Sequence, residues 1–392
     1  MHDGKTLKQK SNLGIYLHVP FCPHLCPYCS FVKTDQFTKK SVLDFFHSCE
    51  KQFQSLLEFV PSSEKYVTVY CGGGTPGLFD GKLYEPFINA VKSRFIIEEM
   101  TIETNPFTNS LRKFESYHAL GFDRLTLGAQ SLCPEVLKSL GRKHTKEDVL
   151  LSLKHAKEAG FENRQVDVIY GLKPGLRTLS LEEELQTLLE HGATGISTYG
   201  LTIEEHTEFY KLPKMANEDE FVKDYELIQN TLLSKGLTQL ETSNFSYKDA
   251  KHNQIYWRGC PYLGIGSGAH GLLPPSDLHP YGQRYSVSSR KKSKLGDFEV
   301  NDFSLCFEKN RTLKDLISEN VWTQLRTKEG LHLDWIYKSL GDFPKEGFEL
   351  WLTSQTFFKP KLQNGFLTTD RKEFSDRFSD LISEQIFLKK TM

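Results

Sequence analysis

Six short apolar or β-branched runs alternate with helical patterns through the first half of the chain, and this alternation restricts the fold more than any other feature. The runs are Gly14–Val19, Tyr66–Cys71, Met100–Glu103, Arg124–Gly128, Gln165–Tyr170 and Gly195–Leu201. Each is too short for a helix, and turn residues follow most of them, as for strands. Between them, Ser41–Phe59 places Val42, Phe45, Phe46, Cys49, Phe53, Leu56 and Leu57 at helical spacing, with Ser41 as a suitable N-cap. Leu111–Leu120, Lys146–Ala159 and Leu181–His191 read the same way. Gly121, Gly160 and Gly192 sit just past these three, where a left-handed C-cap needs no Cβ. Such alternation implies right-handed βαβ units around a parallel sheet. Six units are too few for an eight-stranded barrel. The expected class is therefore α/β, either a partial (β/α)6 TIM-like barrel or a doubly wound sheet. Both gather functional residues at the C-terminal ends of the strands.

A chain of 392 residues exceeds the ~250–300 at which single cores stop growing. We expect a barrel over 1–210, an extension over 211–300 and a mainly helical domain over 301–392. The extension holds a helix near Glu218–Lys235 and the stretch Gly264-Ile265-Gly266-Ser267-Gly268. The last part carries the amphipathic patterns Leu313–Lys328 and Glu373–Phe387, with Trp322, Trp335 and Trp351. A net charge of −1 leaves no basic excess for phosphates, so nucleic acid is not an expected partner. Arg290-Lys291-Lys292 reads as a solvated loop. No run reaches the ~18 apolar residues of a membrane span. The polar, lysine-rich Met1–Asn12 does not read as a secretory signal. Of eight cysteines, three are bunched and five scattered, which is no disulfide framework; the expected location is cytoplasmic and the bunch reads as a metal site.

That bunch is Cys22, Cys26 and Cys29, at spacing C-x3-C-x2-C directly after the first strand. Thiolates hold iron–sulfur clusters, usually four of them. Three would leave one iron of a [4Fe–4S] cube open, as a catalytic metal requires. The spacing also admits a zinc site completed by His18 or His24, or three unrelated core thiols. Other strand ends supply polar candidates. Cys71-Gly72-Gly73-Gly74-Thr75-Pro76 lets backbone approach a ligand closely. Glu103 suits either ribose hydroxyls or a helix cap. Gln130 and Gly141-Arg142 follow the fourth strand, and Tyr199-Gly200 lies on the sixth. Asp167 lies within the fifth, where a charge in an apolar strand is costly unless paired.

Together these segments resemble the radical SAM superfamily and, within it, the oxygen-independent coproporphyrinogen III oxidase family. The matching stretches are Tyr16–Cys29, Gly72–Pro76, Arg124–Ser131, Leu140–His144, Val166–Leu172, Ser243–Asn253 and Tyr256–Gly271. The resemblance implies a partial barrel of the radical SAM type. It implies a [4Fe–4S] cluster on Cys22, Cys26 and Cys29, with S-adenosylmethionine (SAM) chelating the open iron and yielding a 5′-deoxyadenosyl radical on reduction. By position, Tyr16, Tyr28, Gly74, Thr75, Glu103, Gln130, Arg142, Asp167 and Gly200 match the SAM-contacting set. The oxidases of that family carry a fourth cysteine two residues past the third, and a longer N-terminal arm. Here that position is Phe31, and about a dozen residues precede the first strand. Both departures resemble the HemW-type haem chaperone branch. His252-Asn253-Gln254-Ile255-Tyr256-Trp257 is similar to that branch's H-N-x-x-Y-W segment, implicated in haem binding. Imidazole is a common axial ligand of haem iron, although the same residues also suit a bonded interior histidine beside core aromatics. His270 is a second candidate. The resemblance thus implies a protein that binds haem and transfers it to apo-proteins. The alternative is oxidative decarboxylation of two coproporphyrinogen III propionates to vinyls, and a third reading is radical chemistry on another substrate. The implied partners are haem, haem-requiring apo-proteins and a flavodoxin- or ferredoxin-like electron donor, with peripheral contact to membrane cytochromes.

Overall fold

A computed structural model describes residues 10–211, 216–289, 303–341 and 343–390. Its first half is a run of six strands: β1 (Leu13–Val19), β2 (Tyr66–Gly73), β3 (Ile96–Thr104), β4 (Arg124–Gln130), β5 (Asn163–Tyr170) and β6 (Gly195–Gly200). They lie side by side in chain order, all parallel. The connections carry α1 (Lys39–Leu56), α2 (Glu85–Arg94), α3 (Leu111–Leu120), α4 (Pro134–Ser139), α5 (Lys146–Glu158) and α6 (Leu181–Glu190).

Side chains alternate across each strand. One set is apolar and packs into the hydrophobic cores: Ile15 and Leu17, Val67 and Val69, Ile102, Leu125 and Leu127, Val166 and Val168, Ile196. The other is polar, and its members bond one another from strand to strand: Tyr70 to Glu103, Arg124 to Gln165, Gln165 to Ser197. A doubly wound sheet would need helices on two apolar faces. Here one face is apolar and the other is a polar lumen, so the sheet is curled, and the partial barrel is the fold.

After α7 (Glu218–Ser234) the chain adds β7 (Thr238–Glu241), β8 (Asn244–Ser246), α8 (Lys251–Trp257), β9 (Tyr262–Ile265), β10 (His270–Leu273), β11 (Gln283–Ser289) and β12 (Phe303–Phe307). β9 pairs parallel with β1, and β8 pairs antiparallel with β6. Among the described residues the twelve-stranded sheet therefore ends on β12 and β7 and does not close. The remainder is α9 (Leu313–Leu325), β13 (Leu331–His332), α10 (Leu333–Leu340), α11 (Lys345–Ser354), β14 (Pro360–Gln363), β15 (Phe366–Thr369) and α12 (Ser375–Lys390), around a core of its own running from Ile317 to Ile386.

One local expectation changes, and two details go beyond the sequence pattern. Ser41 is not the N-cap of α1. Thr38 is, and Ser41 is the N3 partner of a capping box, accepting the Thr38 N–H at 2.8 Å while Thr38 Oγ1 accepts the Ser41 N–H at 3.1 Å. The C-terminal part is mainly helical as expected, and β13, β15 and β14 add a small sheet to it. α8, at seven residues, showed no helical period. The expected C-caps hold, with φ of 97°, 98° and 99° at Gly121, Gly160 and Gly192. Arg290-Lys291-Lys292 lies outside the described residues. Among the described residues no helix is long and apolar enough to cross a membrane.

Candidate functional site

The cysteine segment is a closed loop anchored at both ends. Phe21, fully buried, sends its ring between Phe37, Phe45 and Phe79, with centroids 5.1, 5.3 and 5.6 Å away. The neck is pinned by the Cys22 N–H on Thr34 O (2.9 Å) and the Thr34 N–H on Pro20 O (2.8 Å). Inside, the Cys29 N–H turns back to Cys26 O at 3.2 Å, and Lys33 Nζ holds Cys29 O at 2.5 Å. His18 is not available as a metal ligand. Its Nδ1 meets Tyr16 Oη at 3.1 Å and its Nε2 meets Val32 O at 2.7 Å, so it ties the loop exit to the barrel lumen.

All three thiols face one cavity of about 400 Å³ at the C-terminal ends of the strands. A carbon at Gly74 would stand 2.9 Å from Phe21 O and 3.0 Å from Cys22 Sγ, so only glycine lets β2 run on beneath the loop. Thr75 Oγ1 donates to Cys22 Sγ (3.6 Å) and accepts from Asn105 Nδ2 (3.0 Å). Arg142 reaches Cys26 Sγ (3.5 Å), Asn105 Oδ1 (2.7 Å) and Gly128 O (2.6 Å). Gln130 enters the cavity from a bulge in β4 with φ of 66°, a left-handed setting rare for a side-chain-bearing residue. Of the nine residues matched to SAM contacts, the cavity is lined by Tyr28, Gly74, Thr75, Glu103, Gln130, Arg142, Asp167 and Gly200. Tyr16 is not on that lining; it lies deeper in the lumen against His18 and Tyr70. Gly200 also has a packing reason, since a carbon there would collide with the Phe221 ring. Tyr199 lines the same wall, and the sequence reading missed Asn105 and Glu204 there.

Two carboxylates share this lumen. Burial and then the neighbouring Glu103 push Asp167 up to about 7. Burial also raises Glu103, against the hydrogen bonds from Tyr70 Oη (2.7 Å) and the Gly73 N–H (3.2 Å). Asp167 Oδ1 and Arg142 Nε have no partner among the described residues. An unsatisfied acceptor and donor in one cavity of ligand size fit a polar, cationic guest. The Cys22 thiol is pushed up to about 11, by burial first, so it is neutral until a metal deprotonates it. Among the described residues no three His, Cys, Asp or Glu side chains gather so that they could hold one metal ion. A cubane spreads three thiolates over three irons, so the shared wall fits a cluster better than a zinc site.

The His252 segment departs from expectation. α8 lies across the opposite mouth, beneath the N-terminal ends of β1, β2 and β3. The buried Glu99 carboxylate accepts the Lys251 and His252 N–H groups, each at 2.9 Å. His252 is 0% exposed, with Nδ1 2.9 Å from Thr68 Oγ1 and Nε2 2.8 Å from Tyr256 Oη. Burial and then Arg124 lower it to about 3, so it is neutral. It is a bonded interior histidine and offers no free nitrogen to haem iron. Tyr256 and Trp257, in contrast, open on a second cavity of about 260 Å³, with Tyr262, Arg284 and Trp322. Trp257 Nε1 is buried there without a partner among the described residues. His270 is exposed at the start of β10, on the loop whose Gly268 abuts Val32.

Residues 16–175 match the family model of the radical SAM superfamily. A heme chaperone HemW of Lactococcus lactis subsp. lactis is 32% identical over 337 residues, which cover 82% of this chain and 83% of that protein. The heme chaperone HemW of Escherichia coli is 31% identical over 326 residues, covering 76% and 82%. The solved structure of coproporphyrinogen III oxidase (HemN) from Escherichia coli, described as a radical SAM enzyme, aligns with a TM-score of 0.72 at 18% identity, over 95% of this chain and 89% of that one. That last likeness speaks to the fold alone.

Proposed function

Because the chain belongs to the heme chaperone HemW family of radical SAM proteins, we propose that it binds haem and passes it to haem-requiring apo-proteins, with a [4Fe–4S] cluster and SAM in the upper cavity. The observation that carries the reading is the convergence of Cys22, Cys26 and Cys29 with eight of the matched SAM residues on one cavity wall. Cys22, Cys26 and Cys29 would hold the cluster. When bound, cluster and SAM supply one-electron chemistry at the sulfonium. The chain's own residues orient and shield. Arg142 steadies Cys26 and the Asn105 turn. Thr75 donates to Cys22. Asp167 and Glu103 present carboxylates to a cationic guest, and Gln130, Tyr28, Gly74 and Gly200 complete the wall.

For haem, Tyr256 and Trp257 are the contacts we propose, because they reach a cavity surface. His252 supports them from behind through Tyr256 Oη. The cluster requires an electron donor of the flavodoxin or ferredoxin kind. The oxidase alternative is disfavoured by Phe31, 63% exposed at the cavity mouth, which provides no thiol where the resemblance places one in the oxidases. Anaerobic reconstitution with iron and sulfide, followed by SAM dialysis and hemin titration, tests the reading. Roughly four irons per chain and saturable binding of both molecules are expected. Failure to bind hemin would remove the chaperone function.

A further inference from the structure

Tyr70 stands on β2 in the lumen, between the two cavities. Its hydroxyl donates to Glu103 Oε1 at 2.7 Å, and among the described residues the other donor to that carboxylate is the Gly73 N–H, at 3.2 Å on Oε2. On its far side its ring lies 5.2 Å from the His252 imidazole, tilted by 33°. His252 in turn holds Tyr256 Oη at 2.8 Å, and Tyr256 lines the lower cavity. Glu103, Tyr70, His252 and Tyr256 thus make one contiguous column through the barrel. The column is close-fitted: a carbon at Gly72 would stand 2.9 Å from the Tyr70 ring and 3.1 Å from the Glu103 carboxyl.

We propose that Tyr70 is a positioning residue, which aims the Glu103 carboxylate into the upper cavity and makes that aim depend on the setting of α8. The proposal rests on the reading of Glu103 as a SAM contact. A carboxylate that loses one of two donors in a buried place loses both orientation and stabilisation of its charge. Close packing passes displacement along the column, since packed side chains have discrete arrangements and little slack. Any such coupling is reciprocal: SAM in the upper cavity tightens α8 as much as a tightened α8 favours SAM.

The test uses the full chain, reconstituted anaerobically. Tyr70→Phe keeps the ring and removes only the hydroxyl. SAM affinity by equilibrium dialysis should fall about tenfold, the scale of a lost hydrogen bond to a charged group, with iron content and visible absorption unchanged. In a Glu103→Gln background, Tyr70→Phe should have no further effect. Amide exchange over residues 251–257 should slow on SAM addition in wild type and not in Tyr70→Phe. Unchanged SAM affinity in Tyr70→Phe overturns the positioning role. Equal SAM-dependent protection in both proteins overturns the dependence on α8. A wild-type chain that holds its cluster but binds no SAM overturns the reading of Glu103 itself, and the proposal with it.

Discussion

Replacing Asp167 with Asn should stabilise the SAM-free chain while weakening SAM binding, and both effects have a pH signature. The carboxyl sits in the lumen at about 7, raised by burial and by Glu103, whereas in the unfolded chain it ionises near ~3.9. Between those values the folded chain holds a proton that the unfolded chain has released. Stability therefore falls as pH rises through this window. Each pH unit well below 7 costs about 1.4 kcal/mol and the slope halves at pH 7 itself, so wild type loses about 2.3 kcal/mol between pH 5 and pH 7 that the Asn variant keeps. This is an upper bound, because water in the open cavity screens the carboxylate. Urea unfolding of both proteins without SAM, at pH 5, 6, 7 and 8, reads the difference directly. The stability gap should widen up to pH 7 and then level off. SAM affinity should move oppositely. In wild type it should rise about tenfold per pH unit below 7, as the carboxylate forms, whereas the Asn variant should bind weakly with a flat profile. A stability gap that does not change with pH would refute the argument, since it would mean that Asp167 is already ionised and paired in the folded chain.

Three further outcomes follow from the site. Cys22→Ser, Cys26→Ser and Cys29→Ser should each lose the iron–sulfur absorption, while Ser at Cys49, Cys71, Cys133, Cys260 or Cys306 should leave iron content intact, as counted by iron and sulfide assay; these five lie outside the cavity wall. Gly74→Ala should fold yet fail to load a cluster, because the added carbon meets Phe21 O at 2.9 Å and Cys22 Sγ at 3.0 Å; normal iron loading would show that the loop has room to move. His252→Ala should cost about 3 kcal/mol in urea unfolding, by opening a hole and leaving Thr68 Oγ1 and Tyr256 Oη without their partner. Its effect on hemin should follow from loosened Tyr256 rather than from lost iron ligation, so the absorption spectrum of bound hemin should keep its shape.

The barrel was legible because its strands are short and its helices carry strong apolar periods with glycine C-caps. Leu111–Leu120 was read with the same bounds that α3 has, and Lys146–Ala159 runs one residue past α5. The cysteine loop was legible because its three thiols are local in sequence. What was not legible depends on three-dimensional closure. Asn105 is an ordinary turn residue until Arg142 and Thr75 meet on it from two other loops. Tyr70 alternates with apolar neighbours on β2, and nothing in the pattern tells a lumen-facing tyrosine from a core one. The sequence leaves His252 open between a haem ligand and a bonded interior histidine, because its partners Thr68 and Glu99 lie 184 and 153 residues away. The strands β13, β14 and β15, at two to four residues, are too short for alternation to register.

The central claim is that a cluster-bearing chain of this fold carries haem and does not decarboxylate a porphyrinogen. One anaerobic experiment sets the two apart: the reconstituted chain, with SAM and a reduced electron donor, is given hemin in one cell and coproporphyrinogen III in the other. The account predicts saturable hemin binding, weakened by Trp257→Ala through lost stacking area, and no vinyl-bearing product in the second cell. Catalytic conversion of coproporphyrinogen III, or wild-type chain that leaves hemin free in solution, would contradict it.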